Sequence, residues 1–225
     1  MPTDNWLTTA DIKEAFAQEI AAAGGTLSDV FDDGYRLFMR SIHPQVREVR
    51  TSDHLQGGVA LRAGKEDIWV HPYVFRQVCS NGAIMAHALQ TRHIQGRHCE
   101  TGEEAADQLR TAVQLCSTEE AFATSFEEIR SAGDIDADLG LNLLPFLSRL
   151  SPEVAAQLLP QIVRRFFGGA DHSRYGLMNA VTEVARDHRV HDIRWRLEEL
   201  GGGIAVGVSP KLKPDDAAAE VMLVG

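Results

Sequence analysis

Cys79 closes a strand-like run, V-F-R-Q-V-C-S-N-G-A-I from Val74 to Ile84, and stands just before a segment whose apolar spacing reads as helical. A thiol in that position gains from the helix N-terminus, which lowers its pKa. Nucleophilic chemistry would further need a histidine as base and an amide to orient it, and His188 with Asn179 are the residues of the right type. The competing reading is a buried, inert cysteine that packs the turn, and it is the favoured one. A second set, His87, His93, His98, Cys79, Cys99 and Cys116, has the residue types of a zinc site but not the spacing. It contains no C-x-x-C and no H-x-x-x-H, so no metal and no other cofactor is expected. Neither a G-x-S-x-G elbow nor a glycine-rich phosphate loop occurs.

The third chemistry is recognition of an anionic polymer. The chain carries a formal charge of −10, which argues against a general nucleic-acid binder. Its distribution is uneven. Between Gly34 and Cys99 nine Lys and Arg stand against four Asp and Glu, a balance of +5, while the remainder carries 13 against 28. Aromatic residues, Tyr35, Phe38, Trp69, Tyr73 and Phe75, are interleaved with the cations. A cationic surface with exposed rings is what single-stranded nucleic acid needs, since the cations meet phosphates and the rings meet bases. The expected contact residues are Arg36, Arg47, Arg62, Lys65, Trp69, Tyr73, Arg76, Arg92 and Arg97. The alternative is that these arginines only solvate the outer face of a sheet.

The elements that must position these residues fall into two blocks. Thr8, Asp11, Ile12, Phe16 and Ile20 start and stripe a first helix that Gly24-Gly25 stops, followed by an acidic turn from Ser28 to Gly34. Strand-like runs follow at 35–40, 46–50, 58–62 and 68–78, the last containing Pro72, which should mark an edge or a bulge. From Asn81 on, the pattern is mostly helical. Ile84, Ala88 and Leu89 form one stripe, Glu103 to Cys116 another, and Ser117 to Glu120 a capping box for the next helix. Ser151-Pro152 opens a helix that Pro160 should kink, Ser173 to Asp187 forms another, and Gly201-Gly202-Gly203 should break the last before a strand near 204–208. Tyr175, Asn179, Glu183 and Asp187 recur every four residues and share one helix face.

Strands in succession followed by helices in succession predict an α+β fold with a small, mainly antiparallel sheet. One domain is expected over 1–208, with the sheet at 34–79, helices over 81–200 and a flexible tail at 209–225. No stretch is apolar enough to span a membrane, no secretory signal is legible at the start, and three cysteines read as thiols, so a cytoplasmic protein is expected.

Two segments carry a family resemblance. Arg76, Val78, Cys79 and Asn81, then Arg92-His93, match an R-x-V-C-x-N segment followed by an R-H pair. Asn179, Ala180, Val181, Thr182, Glu183, Asp187 and His188 match a second segment, in the right order. In these the chain resembles a prokaryotic domain-of-unknown-function family often found on phages and plasmids (DUF nine-thirty-two). That family usually has an N-S-x-D-G-S-like run earlier, where this chain has T-S-D-H-L-Q-G-G at 51–58. The resemblance implies structural roles for Cys79, Asn81, Asn179, Glu183 and His188, with Asn179 and Glu183 holding the Asn81 turn. It also implies the company of phage or plasmid DNA metabolism. The expected function is therefore binding of single-stranded DNA, with strand annealing as the activity and a homo-oligomer as the assembly. The alternatives are a non-enzymatic protein-interaction module of a mobile element and, last, a cysteine- or metal-dependent enzyme.

Overall fold

The computed structural model describes residues 6–148 and 150–207. The tail expected at 209–225 lies outside them. Their contacts divide into two compact units, one ending at Glu127 and one beginning at Glu128, where the sequence reads as one domain.

The first unit is a helix, a seven-stranded antiparallel sheet, a second helix and the start of a third. Helix α1 (Thr9–Ala22) starts at a capping box in which Thr8 and Asp11 satisfy each other's backbone N–H. The strands are β1 (Thr26–Asp32), β2 (Leu37–Ile42), β3 (Val46–Arg50), β4 (Asp53–Ala63), β5 (Asp67–Arg76), β6 (Asn81–Ile84) and β7 (Arg92–Gln95). The sheet order is β1-β2-β4-β5-β6, with β3 also on β4 and β7 also on β5. The fold is α+β, as its pattern of elements predicts.

Strand β5 is paired with β4 from Ile68 to Arg76, but on its other side it has two partners. β7 pairs with Asp67 to Val70 and β6 with Tyr73 to Arg76. Pro72 sits in the gap between them, where its missing N–H leaves no ladder bond unmade. Alternation then sorts the side chains. Leu37, Met39, Val59, Leu61, Ile68, Val70 and Ile94 point to one face and form a core with Ile12, Phe16 and Ile20 of α1 and Leu109 and Val113 of α2 (Gly102–Cys116). Phe38, Arg40, Arg62, Trp69, His71 and His93 belong to the other face.

Several local expectations are corrected. The acidic segment after α1 is strand β1, not a turn; it alternates exposed and half-buried residues as an edge strand does. The segment after Cys79 is not a helix. Residues 77–80 form a tight turn, with Ser80 at φ +51°, and the chain re-enters the sheet as β6 and then β7. The Ile84–Ala88–Leu89 spacing is coincidental: Ile84 is buried in the sheet whereas Leu89 is 90% exposed.

Helix α3 (Glu119–Ala132) is capped by Thr118, whose hydroxyl accepts from the Ala121 N–H; Ser117 instead ends α2. Its first half belongs to the first unit and its end to the second, which continues with α4 (Leu139–Leu147), α5 (Pro152–Gly168), α6 (Arg174–Asp187) and α7 (His191–Val206). Pro160 lies inside α5 without ending it, and Ser151 caps that helix. Gly201-Gly202-Gly203 does not break α7, and no strand follows at 204. A Cβ at Gly201 would come within 2.5 Å of the Thr182 methyl of α6, so the glycine serves a close helix–helix approach.

Candidate nucleic-acid interface

The register of the sheet brings together residues that are far apart in sequence. Phe31 pairs with Phe38, Phe38 with Arg62, Arg62 with Trp69, and Trp69 with His93. These five planar side chains form one row across β1, β2, β4, β5 and β7. Side chains directly opposite on one face are near neighbours, and the row shows it. The Phe31 and Phe38 ring centroids are 6.1 Å apart, and the His93 imidazole lies 3.5 Å from the Trp69 indole at an interplanar angle of 10°. His71, two residues along β5, is also parallel to the indole at 6.0 Å. A 3.5 Å separation of nearly parallel rings is a face-to-face contact, so His93 covers one face of Trp69. His93 is fixed in turn by Asp67, whose Oδ1 accepts from Nε2 at 2.8 Å. Because a carboxylate only accepts, Nε2 is the protonated nitrogen.

The row lies at the end of the sheet where three turns meet. Lys65 is exposed in the β4–β5 turn, Arg97 is exposed in the short 3-10 turn that follows β7, and Gly96 N–H donates to Glu66 O, which ties those two turns together. Arg97 donates to the Gln95 side chain. Arg36 belongs to the β1–β2 turn at the same end, where its Nε and Nη2 both donate to Asp33 Oδ2. Burial pushes the Asp33 carboxyl up, but hydrogen bonds from Arg36 and from the Tyr35 N–H together outweigh it and hold the group below its usual range. Arg62, Lys65, Trp69 and Arg97 thus share one corner of the sheet.

The other expected contact residues are placed elsewhere. Tyr73 is on the same face as Trp69, but it is only 3% exposed and lies against Gly82, where a Cβ would collide with the phenol ring. Arg76 has the opposite parity. Its guanidinium donates through Nε and Nη2 to both oxygens of Asp53, at 2.8–3.0 Å, and through Nη1 to the Cys79 sulfur at 3.1 Å. Arg47 pairs with Glu119 at 2.6 Å and lies over the Phe122 and Phe126 rings of α3. Arg92 donates to the carbonyls of Leu89 and Thr91.

The motif residues Arg76, Cys79 and Asn81 therefore form a clasp across the β5–β6 turn, with Asn81 opposite Arg76 in register and 3% exposed. Its acidic partner, Asp53, comes from the T-S-D-H run. Cys79 lies in a hairpin turn with no helix following it, so the helix dipole that would activate its thiol is not there. Among the described residues no group of three or more His, Cys, Asp or Glu is placed to hold a metal.

In the second unit Asn179 is buried and Glu183 half-buried, with Arg165 4.0 Å from Glu183 and 2.8 Å from Asp187. His188 ends α6 and its Nδ1 accepts from the Val190 N–H. The four-residue stripe on α6 is not a uniformly wet face, because Tyr175 and Asn179 are buried while Asp187 is exposed.

Residues the sequence reading did not weight are His93 in its stacking role, Asp67, Asp53 and Phe31. Each depends on a cross-strand neighbour, and the only signal available was the residue type. Compared with known proteins, the chain matches no family model, no curated protein and no solved structure. The phage and plasmid resemblance thus rests on its quoted residues alone.

Proposed function

We propose that this protein binds single-stranded nucleic acid at the corner of the sheet formed by Arg62, Lys65, Trp69 and Arg97, where His93 lies stacked on the indole. One observation carries the reading: the Arg62–Trp69–His93 row places a cation, an indole and an imidazole side by side on one sheet face, with Lys65 and Arg97 on the turns beside it. Cations within reach of a planar ring match the alternation of phosphate and base along a strand. A DNA-metabolism role of phage or plasmid type, with strand annealing by a homo-oligomer, is the biological setting we infer from the motif resemblance.

Fluorescence anisotropy with a labelled thymidine nonamer tests the reading. Binding at about 50 mM salt is expected to weaken as salt rises, with a slope of about −0.7 per neutralised phosphate, so about −2 for three contacts. A duplex of the same length should bind less tightly, because its bases are unavailable to the rings. Absence of binding to any oligonucleotide at that salt would reject the proposal.

Protein interaction is a second reading with its own observation. Leu144 of α4 and Phe167 of α5, in the second unit, are 59% and 60% exposed. Light scattering of the native chain and of a Leu144→Ser, Phe167→Ser variant tests it: assembly lost in the variant supports that reading.

A further inference from the structure

The His93 ring occupies the position a nucleobase would take on Trp69. It is a flat nitrogen heterocycle, stacked 3.5 Å from the indole and within 10° of parallel, and it donates a ring N–H to Asp67 Oδ1 at 2.8 Å. Stacking on an aromatic side chain, combined with a hydrogen bond from a ring-edge donor to a fixed acceptor, is how proteins hold an unpaired base. On the assumption that the corner binds single strands, as proposed above, we infer that it is specific for guanine and that a guanine base displaces His93 from Trp69.

The choice among bases follows from the acceptor. Asp67 offers only carboxylate oxygens, so it selects bases by the donors on their pairing edge. Guanine presents two adjacent donors, N1–H and the N2 amino group, which match the two oxygens side by side. Adenine and cytosine each present one exocyclic amino group beside an acceptor that a carboxylate repels, and thymine presents one imide N–H between two carbonyls. Two parallel charge-assisted bonds add geometric selectivity to strength.

The displacement is also favoured by where His93 stands. The Asp67 side chain is 40% exposed and that of His93 24%, so both reach solvent and exchanging the ring for a base does not require opening a fully buried pair. Arg62, opposite Trp69 on β4, and Lys65 remain beside the site for the flanking phosphates. His93 in this account is an occluding residue that keeps the indole covered until a base with the right edge replaces it.

The test compares a thymidine nonamer with the same strand carrying one central guanine, and with one carrying inosine there, by anisotropy at about 50 mM salt. The guanine strand should bind about tenfold tighter than all-thymidine, the effect of one added hydrogen bond to a charged group. Inosine, which lacks the N2 amino group, should fall between them. Asp67→Asn should abolish the guanine preference. His93→Ala should keep the preference and tighten binding of the guanine strand about threefold, because the ring that competes for Trp69 is gone. Melting curves of each variant establish that it is folded. Equal affinity for the three strands overturns the inference while leaving single-strand binding standing. Weaker guanine-strand binding by folded His93→Ala also overturns it, since His93 would then be a contact rather than an occluder. No binding of any strand removes both this inference and the reading beneath it.

Discussion

The two ends of strand β5 carry the same kind of residues and use them differently. At one end Arg76 is held by Asp53 and Cys79 in a half-buried clasp. At the other, Trp69 lies between Arg62 and His93 with exposed Lys65 and Arg97 close by. An arginine bonded to a carboxylate two positions along the neighbouring strand from its ladder partner, as Arg76 is to Asp53, has donors committed to the fold. Arg62 instead faces an indole, with the exposed Lys65 and Arg97 beside it. The positive balance of the central segment therefore overstates what reaches a ligand, because Asp33, Asp53, Glu119 and Asp29 each take one of its arginines. Two of these acids, Asp29 and Asp33, precede the segment counted, and Glu119 follows it.

The strongest break in that contrast is at the clasp. Asp53→Ala leaves the Arg76 guanidinium without its carboxylate in a mostly buried setting, a loss of about 3 kcal/mol in unfolding free energy. Urea denaturation measures it, and the folded fraction should still bind oligonucleotide as the native chain does. A melting curve identical to the native one would show that the clasp holds nothing.

Charge reversal at the other end should do the opposite. Lys65→Glu with Arg97→Glu is expected to lower oligonucleotide affinity about a hundredfold while changing stability by no more than about 0.5 kcal/mol, since both side chains are exposed. Arg76→Glu should destabilise the sheet and act on binding only through the folded fraction. Equal effects of the two reversals on binding by folded protein would erase the distinction between the ends.

A smaller effect separates the two ends by pH. His43 follows β2 at the clasp end and is 2% exposed, and burial pushes its pKa below the ordinary 6.5. The folded form therefore binds its proton less readily than the unfolded form. Stability is complete above about pH 7 and falls as pH drops through the unfolded value, because the unfolded chain then takes up a proton the native chain refuses. His43→Gln should flatten the urea midpoint between pH 7 and pH 5 (roughly the span over which an ordinary histidine titrates). An unchanged slope would assign the pH dependence to other groups.

The smallest expected effect is in thiol labelling. Cys116 is buried and its thiol is pushed up to about 12, so it should label only on unfolding. Cys99 is half-buried with its pKa raised by burial and by Glu104, and should label slowly. Cys79, in the turn of the clasp, should be the first to react. Labelling of Cys116 in the native state at a rate equal to that of Cys79 would contradict the packing of α2.

The comparison also shows what could be seen without coordinates. Helices α1, α2 and α6 were legible because their apolar positions repeat every three or four residues beside a capping residue. Strands β3 and β5 were legible by alternation and β-branched content. Strands β6 and β7 were not. Each has only four residues, too few for alternation to stand out, and a chance spacing of Ile84, Ala88 and Leu89 suggested a helix. α7 was misread at Gly201 because a glycine that breaks a helix and one that admits a neighbouring helix look alike until the neighbour is known.

From the sequence alone the class of fold, the basic centre and the residue types of the candidate surface were determined, since composition and period are properties of a continuous segment. Which arginine meets an acid and which meets a ring was decided by strand register. A shift of one residue turns every side chain to the other face, and no local pattern encodes the partner strand. Asp53 and Arg76 are 23 positions apart and Trp69 and His93 are 24, yet one pair closes a clasp and the other forms the proposed binding row.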